Sequence, residues 1–105
     1  MLPKITHQQF IVLRLLYRGG EFSSIAIKSL LEHYGITQSM PSFYQFMARM
    51  IKSKFVHERK ETIIEDGKHT GRKNMYCISA IGRTQLDFAR YFYQQEQWIK
   101  GTNES

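Results

Sequence analysis

A mainly α-helical domain carrying a single β-hairpin is the fold class this sequence predicts, and three observations predict it. Between His7 and Ser53 the apolar residues recur at the three- and four-residue spacing of amphipathic helices. From Phe55 to Ser79 that period gives way to β-branched residues and a two-residue alternation. After Ser79 a helical pattern resumes and runs to about Ile99. The chain of 105 residues has room for one domain, and 42% hydrophobic, 13% aromatic and 23% charged residues make an ordinary globular composition. A disordered tail or a collagenous repeat would look different.

Each element has its own local justification. Thr6 and Gln9 form a capping box, in which two otherwise unpaired backbone N–H groups are satisfied reciprocally, and a helix from His7 to about Arg18 follows. Phe10, Leu13 and Tyr17 share one face, and Ile11, Val12, Leu15 and Leu16 widen the stripe until the helix must be buried on two sides. Gly19-Gly20 ends it. Ser23 or Ser24 caps a second helix to about Tyr34, with Ile27, Leu30, Leu31 and Tyr34 at core spacing and Gly35 as its stop. Ser39 caps a third helix from Met40 to about Ser53, with Pro41 in the first turn where its missing N–H costs nothing. At about 100° per residue, Phe43, Phe46, Met47, Met50 and Ile51 fall on one face of it, and Gln38, Ser42, Gln45, Arg49 and Lys52 fall on the other.

Phe55 to Ile64 and Lys73 to Ser79 read as the two strands of a hairpin whose tip, Glu65 to Arg72, is long and charged. Ser79 then caps a fourth helix from Ala80 to about Ile99, longer than a domain of this size needs for its own core. Leu86, Ala89 and Tyr93 form one stripe of that helix, while Phe88, Tyr91, Phe92 and Trp98 leave aromatic surface to be covered. These bounds make residues 1–79 a unit of three helices and a hairpin, residues 80–100 a terminal helix of the same compact unit, and residues 101–105 a frayed tail.

The order helix-helix-helix-strand-strand-helix, with a tight turn between the second and third helices, is that of a winged helix-turn-helix. There the third helix offers its polar face to the DNA major groove and the hairpin wing reaches neighbouring phosphates or the minor groove. Gln45 and Arg49 suit adenine and guanine edges, and Ser42 and Lys52 suit phosphates, with Gln38 and Ser39 at the start of the same face. Tyr44, at the stripe's edge, is placed to pack on the second helix. In the wing, Lys68, His69, Arg72 and Lys73 are the candidate DNA contacts, and because Glu65 and Asp66 offset their charge, the basic face must lie on one side of the tip.

The run from Ser39 to Met50, with Tyr44 and its recurring apolar residues, resembles the recognition helix of the PadR-like transcriptional regulators, and the resemblance implies the alternative that Tyr44 presents its hydroxyl to a phosphate. Lys54-Phe55-Val56 follows where that family usually has a glycine and two apolar residues, so the turn out of the third helix is expected to differ. Gly71-Arg72-Lys73-Asn74-Met75-Tyr76-Cys77-Ile78-Ser79-Ala80-Ile81-Gly82 is similar to its wing-return pattern of basic residues, tyrosine, serine or threonine, and glycine. The resemblance covers Ile5 to about Tyr93 and implies a dimeric DNA-binding protein, usually a repressor, that dimerises through its C-terminal helix. Leu86, Ala89, Phe92, Tyr93 and Trp98 are the residues expected in that interface.

The remaining features narrow the function by exclusion. A formal charge of +6 favours acidic partners, of which nucleic acid is the commonest. The one cysteine, Cys77, cannot staple a domain or build a thiolate metal site. His7, His33, His57 and His69 are scattered over different elements without ligand spacing. Gly67 to Lys73 falls one residue short of a phosphate-cradling loop and leads into a strand rather than a helix. No nucleophile with an adjacent base can be read from the sequence, which argues against an enzyme, and no cofactor is expected. The longest apolar stretch, Phe10 to Leu16, is too short to cross a bilayer, and Met1-Leu2-Pro3-Lys4 opens no export signal, so a cytoplasmic, nucleoid-associated protein is expected. Double-stranded DNA and a second copy of the chain are the expected partners, and no residues identify an effector. The expected function is a sequence-specific homodimeric DNA-binding protein, a transcriptional repressor on a pseudo-palindromic operator. A plasmid or phage partition, replication-control or DNA-organising factor and a winged-helix protein-interaction module are the alternatives.

Overall fold

Helix ends are where this sequence acts most directly on its backbone. In the computed structural model residues 5–104 are described, those at 93 and 95–104 by their backbone alone. Helix α1 (His7–Leu16) opens with the capping box: Gln9 N–H donates to Thr6 Oγ1 at 3.2 Å and Thr6 N–H donates to Gln9 Oε1 at 2.9 Å. After strand β1 (Phe22–Ser23), Ser23 Oγ accepts from Ala26 N–H at 3.1 Å and starts α2 (Ser24–His33). Helix α3 (Met40–Lys52) carries Ser39 as its cap and Pro41 in its first turn. Strands β2 (Val56–Glu65) and β3 (Lys68–Ile78) form the wing, and α4 (Ala80–Glu104) closes the described chain.

Both α2 and α3 stop in the same way. Gly35 N–H donates to Glu32 O at 3.0 Å and Ile36 N–H to Leu31 O at 2.9 Å, with Gly35 at φ +83°. At the end of α3 the corresponding pair is Lys54 to Ile51 at 2.9 Å and Phe55 to Met50 at 3.0 Å, with Lys54 at φ +63°. Lys54 therefore takes the left-handed conformation a glycine would take. The expected difference in the turn is absent, because two carbonyl-capping hydrogen bonds fix the backbone and the lysine side chain tolerates it at a conformational cost.

The sheet has the order β1-β3-β2, antiparallel throughout. It departs from the sequence expectation in two places. Phe22 and Ser23 pair with Tyr76 and Met75, adding a third strand too short to leave a periodic signature. The wing also has no long tip: Glu65 pairs with Lys68 across Asp66-Gly67, whose φ angles of +53° and +75° are those of a two-residue primed hairpin turn. Lys68, His69, Arg72 and Lys73 are thus strand residues. Helix α4 continues to Glu104, past the point near residue 100 where the composition predicts a frayed tail, since no proline stands in the way of its i→i−4 hydrogen bonds.

One core joins all the helices to the sheet. Val12, Leu13 and Leu16 of α1, Ile27 and Leu31 of α2, Phe43, Phe46, Met47 and Met50 of α3, and Leu86 and Ala89 of α4 are buried together. From the sheet Val56, Tyr76 and Ile78 join them. Tyr76 is 1% exposed and its hydroxyl donates to Glu58 Oε2 at 2.9 Å. Burial first, and the neighbouring Glu58 carboxylate second, push the Tyr76 phenol well above the usual tyrosine range.

The wing base is locked where α4 begins. Ser79 Oγ accepts from Gly82 N–H at 2.9 Å and its hydroxyl donates to the Lys54 carbonyl, while Ser79 N–H donates to Phe55 O at 3.0 Å. Gly82 is pressed so closely on this turn that a Cβ there would lie 2.2 Å from Phe55 O. Gly82→Ala should accordingly destabilise the fold by about 1–3 kcal/mol in urea unfolding. Lys54→Gly should stabilise it by about 1 kcal/mol by relieving the left-handed lysine; equal midpoints for both variants would contradict this account of the junction. A raised folded-state pKa at Tyr76 adds stability that is complete below the ordinary tyrosine value of about 10 and is lost as pH rises beyond it. Alkaline unfolding followed by circular dichroism should therefore fall off less steeply in Tyr76→Phe than in the parent, and parallel curves would rule the effect out.

Candidate nucleic-acid interface

Helix α3 has a sharp division of faces because its apolar residues keep the helical spacing without interruption. Phe43, Phe46, Met47 and Met50 are buried, and Ser42, Gln45, Arg49 and Lys52 are exposed on the other side. Gln45 and Arg49 lie one helical turn apart, the separation at which two side chains can reach neighbouring base edges. The residues at the start of the helix are less available. The Gln38 side chain is half-buried and its Oε1 accepts from Gln8 Nε2 of α1 at 2.7 Å, which fixes the approach to α3. Ser39 Oγ accepts from Ser42 N–H at 3.3 Å and its hydroxyl donates to Ser42 Oγ at 3.1 Å, so its first task is to cap the helix. Tyr44 remains 42% exposed, its ring edge-on to Phe43 with centroids 5.9 Å apart.

The register of the wing sorts its charges onto two faces. Val56 opposes Ile78, Glu58 opposes Tyr76, Lys60 opposes Asn74 and Thr62 opposes Arg72, and opposed residues of an antiparallel pair share a face. That face is the one that buries Val56, Tyr76 and Ile78 against the helices. His57, Arg59 and Glu61, opposed to Cys77, Met75 and Lys73, lie on the other. There Arg59 makes two hydrogen bonds to Glu21, at 2.8 and 2.9 Å, which raise its pKa and lower that of the Glu21 carboxyl. Lys73 Nζ lies 3.4 Å from Glu61 on the same side. Beyond a bulge between Ile63 and Ile64, His69 opposes Ile64 and Lys68 opposes Glu65.

Lys68, His69, Arg72 and Lys73, expected together on one basic side of the tip, therefore do not all share a side. Arg72 and Lys73 point to opposite faces because they are neighbours on a strand. Lys60 is the exposed cation that shares the Arg72 face, and its even spacing from Val56 was the available signal.

The expected interface on α4 also changes. Leu86 and Ala89 are fully buried in the protomer's own core, since their stripe is the one that meets α1, and they are not available to a partner. Phe92 is half-buried, and the side chains of Tyr93 and Trp98 lie outside the described ones. Among the described side chains, the large apolar residues that α4 leaves outward are Ile81, Phe88 and Tyr91. A cavity of about 810 Å³ has Phe10, Ile11, Leu15 and Tyr17 of the α1 region and Arg90 of α4 among its lining residues. Arg83 and Arg90 place their guanidinium groups 5.1 and 5.8 Å from the centre of the Tyr17 ring. Among the described residues no group of three His, Cys, Asp or Glu could hold a metal ion, and no helix is long and apolar enough to cross a membrane.

The sequence matches no protein-family model and none of the curated proteins. Solved structures do match. A PadR family transcription regulator from Clostridium difficile superposes with a TM-score of 0.76 at 11% identity, over 95% of this chain and 100% of that one. Bacillus subtilis PadR in complex with operator DNA gives a TM-score of 0.60 at 22% identity over 75% of this chain, and the match spans 44% of the PadR chain. A mutant MarR from E. coli complexed with operator DNA gives 0.65 at 14% identity, over 96% of this chain and 64% of that one. With a hydrogen-bonded wing, a polar outward α3 and a long terminal helix in the same order, the chain has a PadR-like winged-helix fold.

Proposed function

We propose that the chain is a DNA-binding transcription regulator, a homodimeric repressor that reads a pseudo-palindromic site. The observation that carries this is the outward face of α3, where Ser42, Gln45, Arg49 and Lys52 stand exposed beside the wing on a chain of net charge +6. Gln45 and Arg49 are the base-reading pair, Ser42 and Lys52 hold phosphates, and Tyr44 offers its hydroxyl at the rim. That two of the structural neighbours are complexes with operator DNA supports the assignment of duplex DNA as the partner.

What α4 leaves uncovered supports a dimer. The helix has 25 residues, a length of about 37 Å, and carries Phe88 and Tyr91 outward at 37% and 63% exposure. A two-fold partner covering them would set two α3 helices one DNA turn apart, about 34 Å, which is the geometry of a palindromic site. Light scattering of the parent should give twice the chain mass of 12.4 kDa, and the double variant Phe88→Asp, Tyr91→Asp should give one chain. A monomeric parent at micromolar concentration would remove the two-fold geometry.

Base reading has its own test. On a duplex recovered from a random library by the parent protein, Arg49→Ala should lose about 1–3 kcal/mol of affinity and its preference at one position of the half-site. An unchanged affinity and consensus would take Arg49 out of the interface.

A further inference from the structure

The wing register carries an inference about which side of the hairpin meets the nucleic acid, and it rests on the DNA-binding reading above. We infer that the wing holds DNA phosphates with one face only, the face of Lys60 and Arg72, and that Lys73 and Arg59 belong to a neutralised outer face that takes no part. Lys60 is an additional binding residue of this site, and Lys73 leaves it.

Three observations support the assignment. The regular part of the ladder, Val56 to Thr62 against Arg72 to Ile78, lies between the core and the bulge, so the alternation of faces holds without a slip from Tyr76 out to Arg72. Tyr76 points into the core that α3 also enters. Arg72 and Lys60 continue that face beyond the core and so emerge on the side of the sheet to which α3 is packed.

Charge gives the second line. The outer face brings Arg59 and Lys73 together with Glu21 and Glu61, two cations with two carboxylates, each within 4 Å of an opposite charge. It therefore offers a phosphate backbone no net attraction. On the α3 side Lys60 and Arg72 are exposed, no ion pair involves either among the described residues, and the carboxylate that the regular ladder puts on this face, Glu58, already accepts a hydrogen bond from Tyr76. In the regular part of the ladder the surplus positive charge is thus on the α3 side.

Phosphate contacts reveal themselves in the salt dependence of affinity, because each neutralised phosphate releases about 0.9 of a counterion. The full chain and four variants of equal charge loss, Lys60→Gln, Arg72→Gln, Arg59→Gln and Lys73→Gln, would be titrated into a fluorescein-labelled mixed-sequence duplex of about 30 base pairs across a salt series. Lys60→Gln and Arg72→Gln should each lower the slope of log affinity against log salt by about one unit and weaken binding about five- to tenfold at about 0.1 M salt. Arg59→Gln and Lys73→Gln should keep the parental slope, and Lys60→Arg should restore it. Circular dichroism melts of each variant separate lost contacts from lost folding. Equal slope changes for all four would overturn the one-faced wing while leaving DNA binding intact. No effect from Lys60→Gln would also overturn it. Absence of any duplex affinity in the parent at low salt would overturn the DNA-binding reading itself and this inference with it.

Discussion

The packing of the first turn of α4 on the carbonyl of Phe55, where Gly82 leaves no room for a Cβ, sets the geometry on which the rest depends. Phe55 leaves the left-handed stop of α3 and enters β2, and Ser79 leaves β3 and caps α4. Helix α3, the wing and α4 therefore meet within a few residues. Ser79 serves as donor to Lys54 and acceptor from Gly82, and the glycine lets the helix backbone come near enough for both hydrogen bonds. Buried hydrogen bonds of this kind are costly to leave unmade, so the angle between α3 and the wing is held by the junction rather than by the exposed strands. A side chain at position 82 would act on the outward face of α3 from a distance, through this angle.

From that junction outward the molecule separates stability from binding. The helical faces that meet are apolar and without interruption, and Tyr76 is the large polar side chain admitted to the core, with Glu58 to receive its hydroxyl. The charges are left to the outer surfaces. On one face of the wing they cancel in pairs, which ties β1 to β2 through Glu21 and Arg59. On the other face Lys60 and Arg72, and along α3 Arg49 and Lys52, make no ion pair among the described residues. Exposed ion pairs contribute little to folding, so the pairing on the outer face matters more for where the positive potential is directed than for how tightly the sheet holds.

Much of this was legible in the sequence because the signals were local. Thr6 with Gln9, Ser39 with Pro41, and Gly35 are cap residues whose chemistry acts within one turn, and the structure places them where that chemistry predicts. The polar face of α3 could be read because five residues at helical spacing define it. What could not be read depended on pairing partners. A two-residue strand such as Phe22–Ser23 has no period of its own and exists only through Tyr76 and Met75. The Asp66-Gly67 turn was visible as a dipeptide, yet its charged flanks resemble loop residues until the strands are seen to continue through them. On α4 the stripe of Leu86 and Ala89 could serve a core or an interface equally well, and only the packing against α1 assigns it to the core. Lys54 shows the reverse case, a residue whose type argues against a conformation that the surrounding hydrogen bonds nonetheless impose.

The central claim is that one continuous surface, the outward face of α3 and the Lys60–Arg72 side of the wing, receives duplex DNA. The most direct measurement is a nuclear magnetic resonance titration of the isotope-labelled chain with a short duplex. The account predicts that signals of Ser42, Gln45, Arg49, Lys60 and Arg72 move together at low salt, while those of Arg59, Glu61 and Lys73 stay in place. Movement confined to the cavity between α1 and α4, with α3 unaffected, would contradict it.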